Sequence, residues 1–323
     1  MKLYKDKLDV PVALIFFNRP ETLKKVFQKV KEARPSKLFL IQDGARADNE
    51  FDIDKVKQCR DIVNDIDWEC EVYKNYSDIN LGCGVRPYTG ISWVFEHVDR
   101  AIILEDDCIP AHSFFQFCEE MLEKYENDSR IGIISGLNYF GNYDFGGYSY
   151  GFVKSGAIWG WATWKNRWDK YDFYLKKIDE EYVRKNIELD ITPRFAAKKR
   201  LATWESAKQE LDKNKRVSYW DYQWGFTRHL NSWLSIVPKY NQITNIGIGT
   251  GSTHSGNNIK LLPRKIAKFF FMDVKELEFP LNHPDFVLSD RSYDAEYYKI
   301  IYPNIFVGFL RKISRVFKEF YYK

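Results

Sequence analysis

The 323-residue chain carries 49 basic and 45 acidic side chains, and its formal net charge of +4 is too slight to mark a nucleic-acid binder. A hydrophobic content of 45% supports a sizeable core, enough for one large α/β domain or two smaller ones. The five cysteines are odd in number and irregularly spaced, with no CxxC pair and no Cys/His zinc spacing, so free thiols in a reducing cytoplasm are the simplest reading.

Residues 1–7 hold no apolar signal region, and no stretch is long enough for a membrane-spanning helix. Residues 10–17 form an apolar run broken only by Pro11, which predicts a buried strand. A helix then opens at 18–22, with Asn18 or Thr22 as its cap, Pro20 in its first turn, and Leu23, Val26, Phe27 and Val30 as its apolar face. Strand-like and helix-like segments alternate from there: 38–41, 56–66, 70–73, a loop at 80–84, a helix at 89–98, a strand at 101–104, a helix at 114–125 and a strand at 131–135. This alternation predicts a mostly parallel sheet with helices on both faces. Beyond about residue 145 the pattern is less regular: a strand at 148–155, a Trp-rich segment at 159–164, a polar helical stretch at 179–214, a short helix at 220–224, and a Gly/Ser/Thr loop at 247–256.

The strand at 101–104 ends in Glu105-Asp106-Asp107. Three adjacent carboxylates stay ionised most readily beside a compensating cation, and their hard oxygens suit Mg²⁺ or Mn²⁺. In a parallel sheet, ligands bind beyond the carboxyl ends of the strands. Arg19, Asp43 and the 105–107 cluster all fall at such ends. Each also has a plainer reading: Arg19 pairs with a nearby acid, Asp43-Gly44 is a turn, and the acids are a solvated turn. Asp221, between Trp220 and Tyr222, is either a helix cap or a carboxylate poised to take a proton.

Residues 12–20, Gln42-Asp43-Gly44, Ile103-Leu104-Glu105-Asp106-Asp107 and Trp220-Asp221 together resemble nucleotide-sugar glycosyltransferases of the GT-A fold. The likeness is to bacterial family-2-like enzymes and, more distantly, to the animal N-acetylglucosaminyltransferase I family, over roughly residues 10–256. It implies an α/β, Rossmann-like sheet with a less regular acceptor-side lobe: residues 1–145 as the nucleotide-sugar half, 146–260 as the acceptor-side half of the same domain, and 261–323 as a C-terminal extension. The resemblance further implies an inverting, Mn²⁺- or Mg²⁺-dependent enzyme that moves a sugar from a UDP-type donor to a hydroxyl of a surface-polysaccharide or lipid-linked glycan. In this resemblance Arg19 and Asp43 hold the base, Asp107 ligates the metal, and Glu105 and Asp106 lie near the ribose and donor sugar. Asp221 is the general base. Arg86 falls near the diphosphate, Trp220 belongs with the donor-binding set, and the late loop around 245–255, with His254, closes over the donor.

Trp159, Trp161 and Trp164 follow no helical period and read as packing, with one of them open to serve as an acceptor platform. The tail at 306–323 places Phe306, Phe309, Leu310, Ile313, Val316, Phe317 and Phe320 on one helical face, with most of its basic residues elsewhere. Such a helix suits a membrane interface or docking on protein. The expected location is therefore the cytoplasm, free or peripheral on the inner face of its membrane. Two other functions compete. A nucleotidyltransferase of sugar phosphates also places acids at strand ends, but it needs a Gly-rich loop and a Lys where this chain has Asn18-Arg19-Pro20. A non-catalytic, membrane-associated glycan-binding scaffold is the other.

Overall fold

Strand and helix alternate through the first half of the chain in the computed structural model, which describes residues 7–213, 217–249 and 259–302. The order is β1 (Val12–Phe16), α1 (Pro20–Ala33), β2 (Lys37–Gln42), α2 (Glu50–Val63), β3 (Glu71–Tyr76), α3 (Gly82–Val94), β4 (Arg100–Glu105), β5 (Cys108–Pro110), α4 (His112–Lys124) and β6 (Ile131–Ser135). The second half follows with β7 (Tyr150–Val153), β8 (Trp161–Trp164), α5 (Lys165–Trp168), α6 (Glu181–Asp190), α7 (Arg194–Asp212), α8 (Asp221–Leu230), β9 (Leu234–Pro238), β10 (Ile243–Asn245), α9 (Arg264–Ala267) and α10 (Arg291–Ile301). His254 and the tail at 306–323 lie outside the described residues.

The eight-stranded sheet has the order β3-β2-β1-β4-β8-β6-β9-β7, and it draws strands from both sides of residue 145. Six strands run one way, with β8 and β7 against them. The result is a mostly parallel, Rossmann-like α/β sheet. Alternation at period two feeds two helical layers. Val12, Leu14 and Phe16 pack with Leu38, Leu40, Ile102 and Leu104 against Leu23, Val26, Phe27 and Val30 of α1 and the phenylalanines of α4. Ala13 and Ile15 face the other way, with Phe39, Ile41 and Ile103, onto Ile91 and Val94 of α3 and a group of tryptophans. Each such Val, Leu, Ile or Phe side chain, fully buried, contributes roughly 1.5–3 kcal/mol.

The structure corrects several boundaries. α1 is capped by neither Asn18 nor Thr22; Arg19 stands at its N-cap, and Asn18 Nδ2 donates instead to Asp52, 2.7 Å away. α2 starts at Glu50 rather than 56. Its first turn exposes Phe51 and Ile53 and is anchored by a polar residue, the buried Asp52, so no apolar periodicity marks it. α3 starts at Gly82 rather than 89, because a side chain remote in sequence caps it, as described below. The polar stretch at 179–214 is two helices that separate before Pro193, whose ring disfavours helical backbone in the residue ahead of it. The ribbon of β5 and β10, three residues each, is too short to announce itself by alternation. Parts of the C-terminal extension also join the core: Leu277, Leu281, Tyr293 and Tyr298 are buried.

Tyr298 Oη and Asp190 Oδ2 each lie 3.3 Å from a ring nitrogen of His229, which is 7% exposed. Burial pushes His229 down to about 4. Against the opposing effect of its own burial, hydrogen bonds from His229 and Lys154 bring Asp190 down to about 2. The unfolded chain therefore binds the histidine proton first, and stability falls as pH drops from about 6.5 towards 4, then further as Asp190 protonates. Urea unfolding should show a loss of about 3 kcal/mol from the histidine across that window, and His229→Asn should flatten the curve above pH 4.

Candidate functional site

A cavity of about 560 Å³ opens at the carboxyl ends of β1, β2 and β4. Its wall brings together Arg19, Asp43, Arg86, Glu105, Asp106, Asp107, Trp220 and Asp221, every described residue that the sequence marked for the site.

The acid cluster is built by a strand end and a reversal. Glu105 is the last residue of β4 and lies partly buried, while Asp106 and Asp107 turn the chain into β5 and are buried. Asp106 Oδ2 accepts the Phe17 N–H at 3.2 Å. The Arg19 guanidinium donates to Asp106 Oδ1, and the same Nη2 lies 3.0 Å from Asp107 Oδ2. Burial works against the charge on Arg19, but Asp106 and then Asp107 outweigh it and hold the guanidinium protonated well above its ordinary range. Burial, then the charges of Asp107 and Asp106, push Glu105 up; Asp221 adds to that push from across the cavity. Burial also raises Asp106, against the pull of Arg19. One cation is thus set against more carboxylate than it can neutralise.

The second strand of the ribbon supports the cluster from behind. Ile246 N–H donates to Asp107 C=O at 2.9 Å, and Asn245 Nδ2 lies 3.4 Å from Asp107 Oδ1. Gly247 passes so close that a Cβ there would fall 2.0 Å from Asp107 Oδ2. Gly247→Ala should therefore displace either the loop or the carboxylate. Denaturant unfolding should show a loss of about 1–3 kcal/mol, the usual cost of overpacking; an unchanged midpoint would mean that the close approach is not rigid.

The remaining marked residues do different work from one another. Asp43 has every lone-pair direction engaged: Oδ1 accepts from Gly44 N at 3.0 Å and Leu81 N at 2.7 Å, and Oδ2 from Gly82 N at 2.7 Å and Asn80 Nδ2 at 3.1 Å. It caps α3, a role that only the tertiary fold creates. Arg86 is buried and clamps two strand ends, with Nε donating to Gln42 C=O at 3.1 Å and Nη2 to Asn75 Oδ1 at 2.8 Å. Burial lowers its pKa. The Trp220 ring is mostly core: it stacks on Trp161 at 5.9 Å, and Tyr171 Oη donates to the Trp220 carbonyl at 2.8 Å. Asp221 is not the cap of α8, because Trp220 holds that position. It is the first helical residue, where the helix dipole favours an ionised carboxylate.

Among the three tryptophans of 159–164, Trp161 and Trp164 are buried, while Trp159 lines the cavity against Phe270, ring centroids 5.0 Å apart. The sequence reading missed Tyr219 and Tyr222, which stack at 4.7 Å on either side of Trp220-Asp221 and also line the cavity. Their adjacency to Asp221 was the available signal. It also missed Arg46, held by Asp52 at 2.6 Å.

No family model matches the chain, and no curated protein matches it. Among solved structures, the chain is similar to HddC from Yersinia pseudotuberculosis at 10% identity, covering 48% of this chain and 77% of that one, with a TM-score of 0.28. It is also similar to UDP-glucose pyrophosphorylase complexed with UDP-glucose at 9% identity, covering 72% and 92%, with a TM-score of 0.35. Likenesses this weak carry no argument about activity or substrate.

Proposed function

We propose that this chain is an inverting glycosyltransferase of the GT-A type, moving a sugar from a nucleotide diphosphate, UDP by preference, to a hydroxyl on a surface-polysaccharide or lipid-linked glycan. The observation that carries the reading is the meeting of Arg19, the 105–107 acids and Asp221 in one cavity at the strand ends. Residues 1–145 would hold the donor, 146–260 the acceptor, and 261–323 would complete the fold and, through 306–323, reach the inner face of the cytoplasmic membrane.

Asp107 would hold a divalent cation, Mn²⁺ or Mg²⁺. Among the described residues no three His, Cys, Asp or Glu side chains form a metal site by themselves. The donor set still fits a cation whose shell is completed by a ligand: it offers hard oxygens, and more acid than Arg19 balances. When bound, the cation would supply Lewis-acid neutralisation of the departing diphosphate. The chain's own residues do the rest. Arg19 pairs with Asp106 and Asp107 and stands, with the loop that Asp43 anchors, on the nucleotide side. Glu105 and Asp106 line the donor-sugar side. Asp221 takes the acceptor proton, and attack from its side opposite the leaving group inverts the anomeric carbon.

The test is a thermal-unfolding screen of UDP with and without Mn²⁺, since a ligand bound only by the native state raises the melting point. Joint stabilisation is expected in the wild type and its loss in Asp107→Ala. Turnover should release nucleoside diphosphate; release of pyrophosphate would instead indicate a nucleotidyltransferase, and no metal-linked binding a scaffold.

A further inference from the structure

A second charged site lies one turn along α8 from Asp221. Arg200 of α7 lays its guanidinium against α8 at Gly225, where a Cβ would fall 2.5 Å from Arg200 Nη2. Gly225 is four residues on from Asp221 and shares its helical face, roughly 6 Å along the axis. Arg228 follows on the same face, 7% exposed, with Nη1 donating to Gly156 C=O at 2.8 Å and to Ser235 Oγ at 3.1 Å. The two guanidiniums are near enough to repel. Neither has an ion pair with a carboxylate among the described residues.

Hydroxyls and rings stand against them, and the acids of the neighbourhood are engaged elsewhere: Asp190 by Lys154 and His229, and Asp294 by the N–H groups of Lys154 and Ser155. Arg200 Nη1 donates to Tyr302 Oη at 3.1 Å and its guanidinium sits 4.9 Å from the Trp204 ring. Tyr139, Tyr297 and Tyr298 are close to Arg228. Two donors here are buried without any hydrogen-bond partner among the described residues, Arg200 Nε and Arg228 Nε. Two like charges and two idle donors are costly to bury together, and ring faces offset only part of that cost. An oxyanion would answer all of it at once.

We propose that Arg200 and Arg228 bind a phosphoryl group carried by the acceptor. A phosphoryl group fits better than a carboxylate. Its dianion balances both guanidiniums, and its oxygens are enough for both forks. The acceptor assignment rests on the reading of Asp221 as the base, but binding of the anion does not.

Thermal unfolding of the full chain at constant ionic strength, without nucleotide or divalent metal, tests the site. Inorganic phosphate should raise the melting temperature saturably, by about 2 °C or more well above its dissociation constant, while acetate should not. Arg200→Gln, at a partly exposed position where folding should survive, should weaken phosphate at least tenfold; Arg228→Lys should weaken it too. No saturable effect, an equal effect of acetate, or an unchanged effect in Arg200→Gln overturns the site, whatever the fate of the transferase reading. Two further ligands identify the carrier: a hexose 1-phosphate in solution and a polyprenyl phosphate in detergent micelles. The tighter binder names the carrier class, and weaker binding than inorganic phosphate by both overturns the acceptor assignment. Failure of metal-linked UDP binding with the phosphate effect intact would sink the transferase reading alone.

Discussion

Asp221→Asn should cut sugar transfer by about 10²–10⁴-fold, the usual contribution of a positioned general base, while donor affinity changes by no more than about twofold. The asparagine keeps the shape and the place at the first position of α8, so the loss would report a missing proton acceptor and not a shifted helix. The split matters. Asp221 faces the acid cluster closely enough to push Glu105 up, so removing its charge also relaxes that cluster. If Asp221 served only to shape the donor pocket, affinity would fall and turnover at saturation would not. Steady-state kinetics beside calorimetric titration with UDP and Mn²⁺ separate the two cases, and full turnover in the variant would refute the base assignment. Product stereochemistry gives an independent check, since a single base opposite the leaving group requires inversion.

Local pattern made the first half of the fold readable. The apolar run at 10–17 and the face of Leu23, Val26, Phe27 and Val30 reappear as β1 and α1, and the apolar run ending in three acids reappears as β4 and the turn after it. What stayed hidden depends on contacts between distant segments. Asp43 looks like half of an Asp-Gly turn, and it does bond Gly44. Its larger task, capping a helix that begins at Gly82, needs the end of β2 beside the start of α3. Arg19, from its place after β1, reads either as base-binding or as the partner of a nearby acid; the folded chain shows which acids, since its charge is committed to two at the end of the adjacent β4. The Arg200–Arg228 pair left no trace in sequence, because a glycine on one helix and an arginine on another meet only when α7 packs on α8. Charge patterns reveal candidates; only packing shows which charges have partners.

The commitment of Arg19 sets up the largest expected effect on stability. Arg19→Ala should destabilise the ligand-free chain at neutral pH by about 3 kcal/mol, the cost of leaving buried carboxylates without their counter-ion. Two reliefs should be visible. As pH falls, the orphaned acids can take up protons in the folded state, since burial already raises Glu105 and Asp106. A carboxyl raised above its unfolded value costs stability at high pH and returns it as pH drops, so the deficit of the variant should shrink towards pH 5. The other relief is Mn²⁺. In the wild type a cation must compete with Arg19 for Asp107 Oδ2, 3.0 Å from the guanidinium; in the variant it need not. Mn²⁺ alone should therefore raise the melting temperature of Arg19→Ala more than that of the wild type. An equal shift in both proteins would mean that the cation does not share the ground Arg19 holds. No shift in either would leave the acid cluster as an internal ion pair and remove the metal from the proposed chemistry.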